Sequence, residues 1–170
     1  MLRVQFNRLR LIGYAGHMRL LFVAVSLIGL AGCSSSTSST SPAADASKAY
    51  LEKAAAQPGA VKTASGLVYR ELRPGSGGSP KATDVVSVNY RGTLIDGTEF
   101  DSSYKRNEPA QFPLSQVIPC WTEGVQKMKV GGKSELVCPA GIAYGEQGSP
   151  PTIPGGATLI FEIELLRIGG

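Results

Sequence analysis

Past residue 32 the sequence contains no histidine; the only one, His17, sits in the leader. A body without histidine has no Ser-His-Asp or Cys-His constellation and no His-ligated zinc. A basic run is missing as well. Residues 1–32 hold Arg3, Arg8, Arg10, Arg19 and no acid, so the 13 remaining Lys and Arg balance the 13 Asp and Glu. A neutral body lacks the electrostatic footprint of a nucleic-acid binder. Cysteine is scarce, at Cys33, Cys120 and Cys138, and no CxxC occurs, which argues against redox catalysis. Long apolar runs are absent too. The longest, Leu20 to Leu30, is about half of what a spanning helix needs. With 42% hydrophobic residues the chain is nonetheless rich enough in apolar side chains to build a core.

That apolar run has a positive n-region before it and fits the h-region of a secretory signal. It ends in Leu30-Ala31-Gly32-Cys33, which resembles a bacterial lipobox. The expectation is a signal peptide over 1–32, with Cys33 lipidated and holding the protein on a membrane by its acyl chains. Residues 33–45, beginning with the Ser/Thr-rich stretch from Ser34, read as a flexible tether. Because Ser34 rather than aspartate follows the cysteine, the outer membrane is the expected site in a host that has one. Export implies an oxidising compartment. Cys120 and Cys138 are then candidates for a disulfide, contributing roughly 3 kcal/mol by loop entropy. The other reading is two buried thiols acting as small apolar residues.

Ala46 to Gln57 is rich in helix formers and stopped by Pro58-Gly59, giving a short helical spacer over 46–66. Beyond it strands dominate. Leu67 to Leu72 is one candidate. Val86, Val88 and Tyr90 alternate with Ser87, Asn89 and Arg91. Asp96-Gly97 signals a hairpin returning through Thr98 to Phe100. Leu136 to Cys138 ends another strand, and Leu159 to Leu166 alternates most clearly. Pro119 to Met128 is the one internal helix, with proline in its first turn and Trp121, Val125 and Met128 on one face. The Gly75 to Pro80 loop has neither a following helix nor a lysine-serine ending, so it reads as a plain turn. Taken alone, Tyr104-Lys105-Arg106 reads as a solvated charge cluster.

Five blocks occur in order: Tyr90-Arg91-Gly92, Gly97 through Ser103, Val117-Ile118-Pro119-Cys120-Trp121, Ala143-Tyr144-Gly145, and Ala157 through Leu166. Together they resemble the FKBP family of peptidyl-prolyl cis–trans isomerases over about residues 67–168. The segment from Tyr50 through Leu67 is similar to exported members of the macrophage-infectivity-potentiator type. The resemblance implies an α+β fold over 67–170, a strongly twisted antiparallel sheet of about five or six strands wrapped around one short helix. It implies a pocket of Tyr90, Phe100, Asp101, Phe112, Val117, Ile118, Trp121, Tyr144, Ile153 and Phe161, with Trp121 as floor and Arg106 supporting Asp101. Asp101, Tyr144, Phe100 and the backbone N–H of Ile118 carry the catalytic roles. Ala110, Ser149 and Cys120 depart from common family residues.

The implied activity needs no metal and no cofactor. Its partners are proline-containing polypeptides, inhibitors of the tacrolimus and rapamycin kind, and the membrane reached through lipid; nucleic acid is excluded. Pro58-Gly59 and the tether leave no room for a long dimerisation arm, so a monomer is expected. The competing readings are a chaperone that binds proline-bearing segments with little turnover and a surface interaction module.

Overall fold

The computed structural model describes residues 42–169. The signal peptide, Cys33 and the Ser/Thr-rich stretch up to residue 41 lie outside the described residues.

Helix α1 spans Pro42–Ala55. It starts four residues before the expected Ala46, because proline is tolerated in a first turn and Asp45 there complements the helix dipole. Ser47, Leu51 and Ala54 recur on one face. Ala54, with Tyr50, Leu51 and Ala55, packs on Val68 and Val137 of the sheet. The following turn closes through Gly59, whose φ of 77° is open to glycine. The chain then enters β1, Ala60–Lys62, an edge strand that the sequence pattern does not reveal.

Seven antiparallel strands follow the order β1-β2-β6-β7-β3-β4, with β5 on the free part of β3. They are β2 (Val68–Arg73), β3 (Val85–Leu94), β4 (Glu99–Ser102), β5 (Ala110–Pro113), β6 (Lys133–Cys138) and β7 (Leu159–Ile168). The expected architecture holds, with one strand beyond the upper estimate of six. The extra strand is the short β1, which precedes the expected domain start at residue 67; the long β3 pairs with β5 along its first half and with β4 along its second, while β7 runs along its other edge.

Helix α3, Pro119–Gln126, packs against one face of the sheet. Val86, Val88, Leu136, Leu159, Ile163 and Leu165 from the sheet meet Trp121, Val125 and Met128 in one core. Gly124 allows the close approach, since a Cβ there would strike the Leu136 side chain. On the opposite face the alternating polar residues are tied in ladders. Arg70 pairs with Glu135 at 3.0 Å, Lys133 with Glu162 at 2.6 Å and Arg73 with Glu164 at 2.5 Å. These pairs keep the solvated side polar between strands and contribute little stability each.

Candidate active site

A cavity of about 360 Å³ opens between α3, β4, β5 and the 139–158 loop, within the size range of small-ligand sites. Tyr90, Phe100, Asp101, Phe112, Val117, Ile118, Trp121, Tyr144 and Phe161 line it, all of them expected from the sequence. Gln116 is an additional lining residue. It sits in the turn of 3₁₀ helix, Leu114–Gln116, that leads to α3, and no periodicity marked it.

Trp121 forms the floor. It is 4% exposed, yet its ring faces the cavity. Tyr90, Phe112 and Phe161 meet it edge-on, with centroids 5.2, 5.5 and 5.3 Å away and interplanar angles of 83°, 86° and 89°. Edge-to-face pairs of this kind stabilise beyond their buried area. Phe100 meets Phe161 at 5.6 Å and 88°, continuing the ring wall to the rim. The Trp121 Nε1–H is buried without an acceptor among the described residues.

The wall depends on Gly92, whose missing side chain leaves room for the Phe100 and Phe161 rings. A Cβ there would stand 2.5 Å from Phe100 Cζ and 3.1 Å from Phe161 Cε1. This gives the Tyr90-Arg91-Gly92 block a physical meaning: tyrosine lines the cavity, and glycine makes room for two rings.

Asp101 is the one ionised group of the lining. It sits on β4 opposite Gly92 of β3. The Tyr90 hydroxyl donates to Asp101 Oδ2, and Arg106 donates from Nη1 to Oδ1 at 2.7 Å and from Nη2 to the Tyr90 oxygen at 3.0 Å. Burial pushes the Asp101 carboxyl up, but the Tyr90 and Arg106 donors outweigh it and hold the group below its ordinary range. Burial, then the hydrogen bond to Asp101, pushes the Tyr90 phenol up, so it stays the donor. The Asp101 contact, followed by Tyr90, raises the Arg106 guanidinium. Arg106 therefore stands behind Asp101 rather than in the cavity lining; it is exposed, as its charged neighbours suggest, yet paired with the carboxylate.

Arg106 reaches this place on α2, Ser103–Arg106, a single turn that the sequence does not announce. The buried Ser103 hydroxyl accepts from the Tyr90 N–H at 2.9 Å, fixing α2 to β3. Asn107 closes the turn in the left-handed region with φ 53°, which asparagine tolerates. Lys105 Nζ adds a tie of 2.9 Å to Glu99.

Ile118 precedes α3 and gives its carbonyl to Trp121 and Thr122. Its N–H has no partner among the described residues. Tyr144 stands at the rim, 41% exposed, after the 3₁₀ turn Ala140–Ile142. Ile153 lies apart from the main cavity. It is 5% exposed and lines an adjoining depression with Phe100, Asp101, Tyr144 and Ser149, because Ser149 and Ile153 close the loop by reciprocal backbone bonds of 2.8 and 2.9 Å. Cys120 and Cys138 are joined sulfur to sulfur, with Cα atoms 5.9 Å apart.

Comparison with known proteins places the chain in a family. The profile of the FKBP-type peptidyl-prolyl cis-trans isomerases matches residues 77–166. The chain is 55% identical over 119 residues to the FKBP-type isomerase FkpA of Aeromonas hydrophila, covering 70% of this chain and 44% of that protein. It is 46% identical over 125 residues to the peptidyl-prolyl cis-trans isomerase Mip of Coxiella burnetii, covering 74% and 54%. The chain thus spans about half the length of these relatives. The crystal structure of Escherichia coli FkpA superposes with a TM-score of 0.72 at 50% identity, over 75% of this chain and 61% of that one. A Pseudomonas syringae peptidyl-prolyl isomerase superposes with a TM-score of 0.71 at 38% identity, over 75% and 94%. With the ordered motifs, the seven-stranded sheet and the matched profile in agreement, the chain belongs to the family of FKBP-type peptidyl-prolyl cis-trans isomerases.

Proposed function

We propose that this chain catalyses cis–trans isomerisation of peptidyl-prolyl bonds in exported polypeptides and so assists their folding. The observation that carries the reading is the Trp121 floor, with three rings edge-on around it and one anchored carboxylate at the rim. Amide resonance keeps the prolyl bond planar behind a barrier of about 18–20 kcal/mol, and uncatalysed exchange takes tens to hundreds of seconds. The twisted transition state has lost resonance and the charge separation that water solvates. A dry aromatic cavity therefore favours the twisted amide over the planar one. This is differential binding of the transition state, achieved without a nucleophile.

Each lining group has a part. The proline ring rests on Trp121, and Phe100, Phe112 and Phe161 close the sides. The free Ile118 N–H accepts the role of donor to a carbonyl beside the proline. Tyr144 donates from the rim, where its exposure leaves the hydroxyl free to meet a passing chain. Asp101, held ionised by Tyr90 and Arg106, presents a fixed negative charge to the carbonyl carbon side of the rotating amide. Macrocycles that mimic a twisted prolyl amide, such as tacrolimus or rapamycin, compete for the same floor.

The export signal and lipobox extend the reading to a monomer lipid-anchored at Cys33 in a bacterial envelope, with Cys120 and Cys138 oxidised. Cys33→Ser is expected to move the protein from the detergent phase to the aqueous phase on phase separation.

The deciding experiment is a protease-coupled or NMR-exchange assay of a proline-containing peptide with the purified chain in detergent. Catalysed exchange that tacrolimus abolishes supports the reading. Peptide binding at the pocket without acceleration of exchange replaces it with the segment-binding chaperone.

A further inference from the structure

We infer that the bond between Cys120 and Cys138 is a positioning device for Trp121: it sets the height and tilt of the pocket floor by holding the first turn of α3 to β6. The inference rests on the isomerase reading of this pocket.

Helix α3 has eight residues, and its N-cap, Ile118, makes no side-chain capping bond. A helix of about two turns is marginal on its own, so its placement comes from what ties it down. Three ties fall at positions 120, 122 and 123, on either side of Trp121. Thr122 Oγ1 donates to the Leu114 carbonyl at 2.7 Å. Ser65 Oγ donates to Glu123 Oε2 at 2.5 Å, an exposed contact from the β1–β2 turn. Cys120 is bonded to Cys138, and both residues are fully buried.

Only the last tie is covalent, and only it reaches the central sheet. Cys138 pairs with Leu159 of β7, and two residues earlier Leu136 pairs with Phe161. Phe161 is the ring that meets Trp121 edge-on at 5.3 Å. The bond therefore closes a short circuit: Trp121, Cys120, Cys138, β6, β7, Phe161. Packing holds the rest of α3, with Val125 in the core and Leu136 seated against Gly124, but such contacts can shift where a covalent bond cannot. The covalent link removes that freedom next to the floor residue.

The consequence is kinetic. A pocket that acts by fitting a twisted amide loses its advantage when the floor shifts by a fraction of an ångström, whereas a loosened floor still binds a proline ring. Losing the bond is expected to lower kcat with little change in KM. A bond that only stabilises the fold would move neither in the folded protein.

Trp121 is the only tryptophan of the chain, so its fluorescence reports on the floor directly. The test compares the wild-type chain with Cys120→Ala/Cys138→Ala and with Cys120→Ala/Cys138→Val, which refills part of the lost volume. Each is checked for folding by circular dichroism in the cold and then assayed. The expected result is a kcat lowered about tenfold, the scale that small misplacements of reacting groups reach, with KM nearly unchanged and Trp121 more open to acrylamide quenching. Unchanged kcat and unchanged quenching in a folded variant overturn the inference. So does alkylation of Cys120 and Cys138 in the denatured, unreduced wild-type protein, and so does failure of both variants to fold, which would make the bond a condition of the fold rather than a setting of its floor. A wild-type chain without isomerase activity would sink the parent reading instead, and the quenching comparison would still decide this one.

Discussion

Tyr90 donates its phenolic hydrogen to Asp101 Oδ2 while Arg106 holds Oδ1 at 2.7 Å, so the carboxylate enters the cavity with both oxygens already engaged. Tyr90 is at once a ring against Trp121, with centroids 5.2 Å apart, and the donor that orients the rim charge. The apolar floor and the polar rim are therefore coupled through one side chain.

Tyr90→Phe separates the two roles. The ring and its contact with Trp121 remain, and the donor is lost. A hydrogen bond to a charged group is worth about 1.5–3 kcal/mol, so kcat/KM is expected to fall by roughly ten- to a hundredfold. The Asp101 carboxyl should rise toward its ordinary range, read by carboxyl NMR titration. An unchanged titration would show that Arg106 alone holds the charge.

The pH dependence follows from the same triad. Asp101 is depressed in the folded state, so its contribution to stability is complete above the unfolded value, about 3.9, and is lost as pH falls through the folded value. Tyr90 is raised, so its contribution is complete below its unfolded value of 10.0 and lost as pH rises through the higher folded one. Denaturation midpoints should be flat with respect to these two groups between those limits. Asp101→Asn should flatten the acid limb. An acid limb of wild-type steepness in Asp101→Asn would assign it to other carboxylates.

The floor and the central strands were legible because they follow strict periods. Val86, Val88 and Tyr90 alternate along β3, Leu159 to Leu165 alternate along β7, and Trp121 and Val125 share a helix face, with Met128 joining the core just past the helix end, two residues short of the expected one. The parts that were not legible are short. Strand β1 has three residues and β5 four, the latter ending in a proline, so neither shows a period. Helix α2 is one turn of Ser-Tyr-Lys-Arg, indistinguishable from a charged loop until Ser103 and Asn107 are seen to fix its ends. Arg106 could be assigned to Asp101 only through the family resemblance, because the pairing depends on that turn. Gln116 escaped both routes, since it joins the lining through the 3₁₀ turn before α3.

Trp121→Phe and Trp121→Ala should differ in kind. Truncating a buried tryptophan to alanine costs about 3–5 kcal/mol, and here it also removes the partner of three edge-on rings. Trp121→Phe loses volume but also deletes the buried Nε1–H that lacks an acceptor, and an unpaired buried donor carries a penalty of about 1–3 kcal/mol. The phenylalanine variant is expected to stay within about 1–2 kcal/mol of wild type in a denaturant titration while its kcat/KM falls severalfold. A loss as large as that of alanine would mean that the indole N–H has a partner in solution.

Gly92→Ala tests whether the wall or the backbone dictates that glycine. Its backbone cannot retreat, since Gly92 is paired with Asp101 on one side and Phe161 on the other. The new methyl would meet Phe100 and Phe161 at 2.5 and 3.1 Å, so the Phe100 ring must turn out of its edge contact. Overpacking of this kind destabilises by about 1–3 kcal/mol. Isomerase activity at fully folded concentrations should fall as well, because a displaced Phe100 opens the wall. The double variant Gly92→Ala/Phe100→Leu supplies the missing space, and its stability should recover more than the two single effects predict. Its activity should stay low, because the ring that closes the rim is gone. Additive stability effects in that cycle would mean that the strain at residue 92 does not act through Phe100.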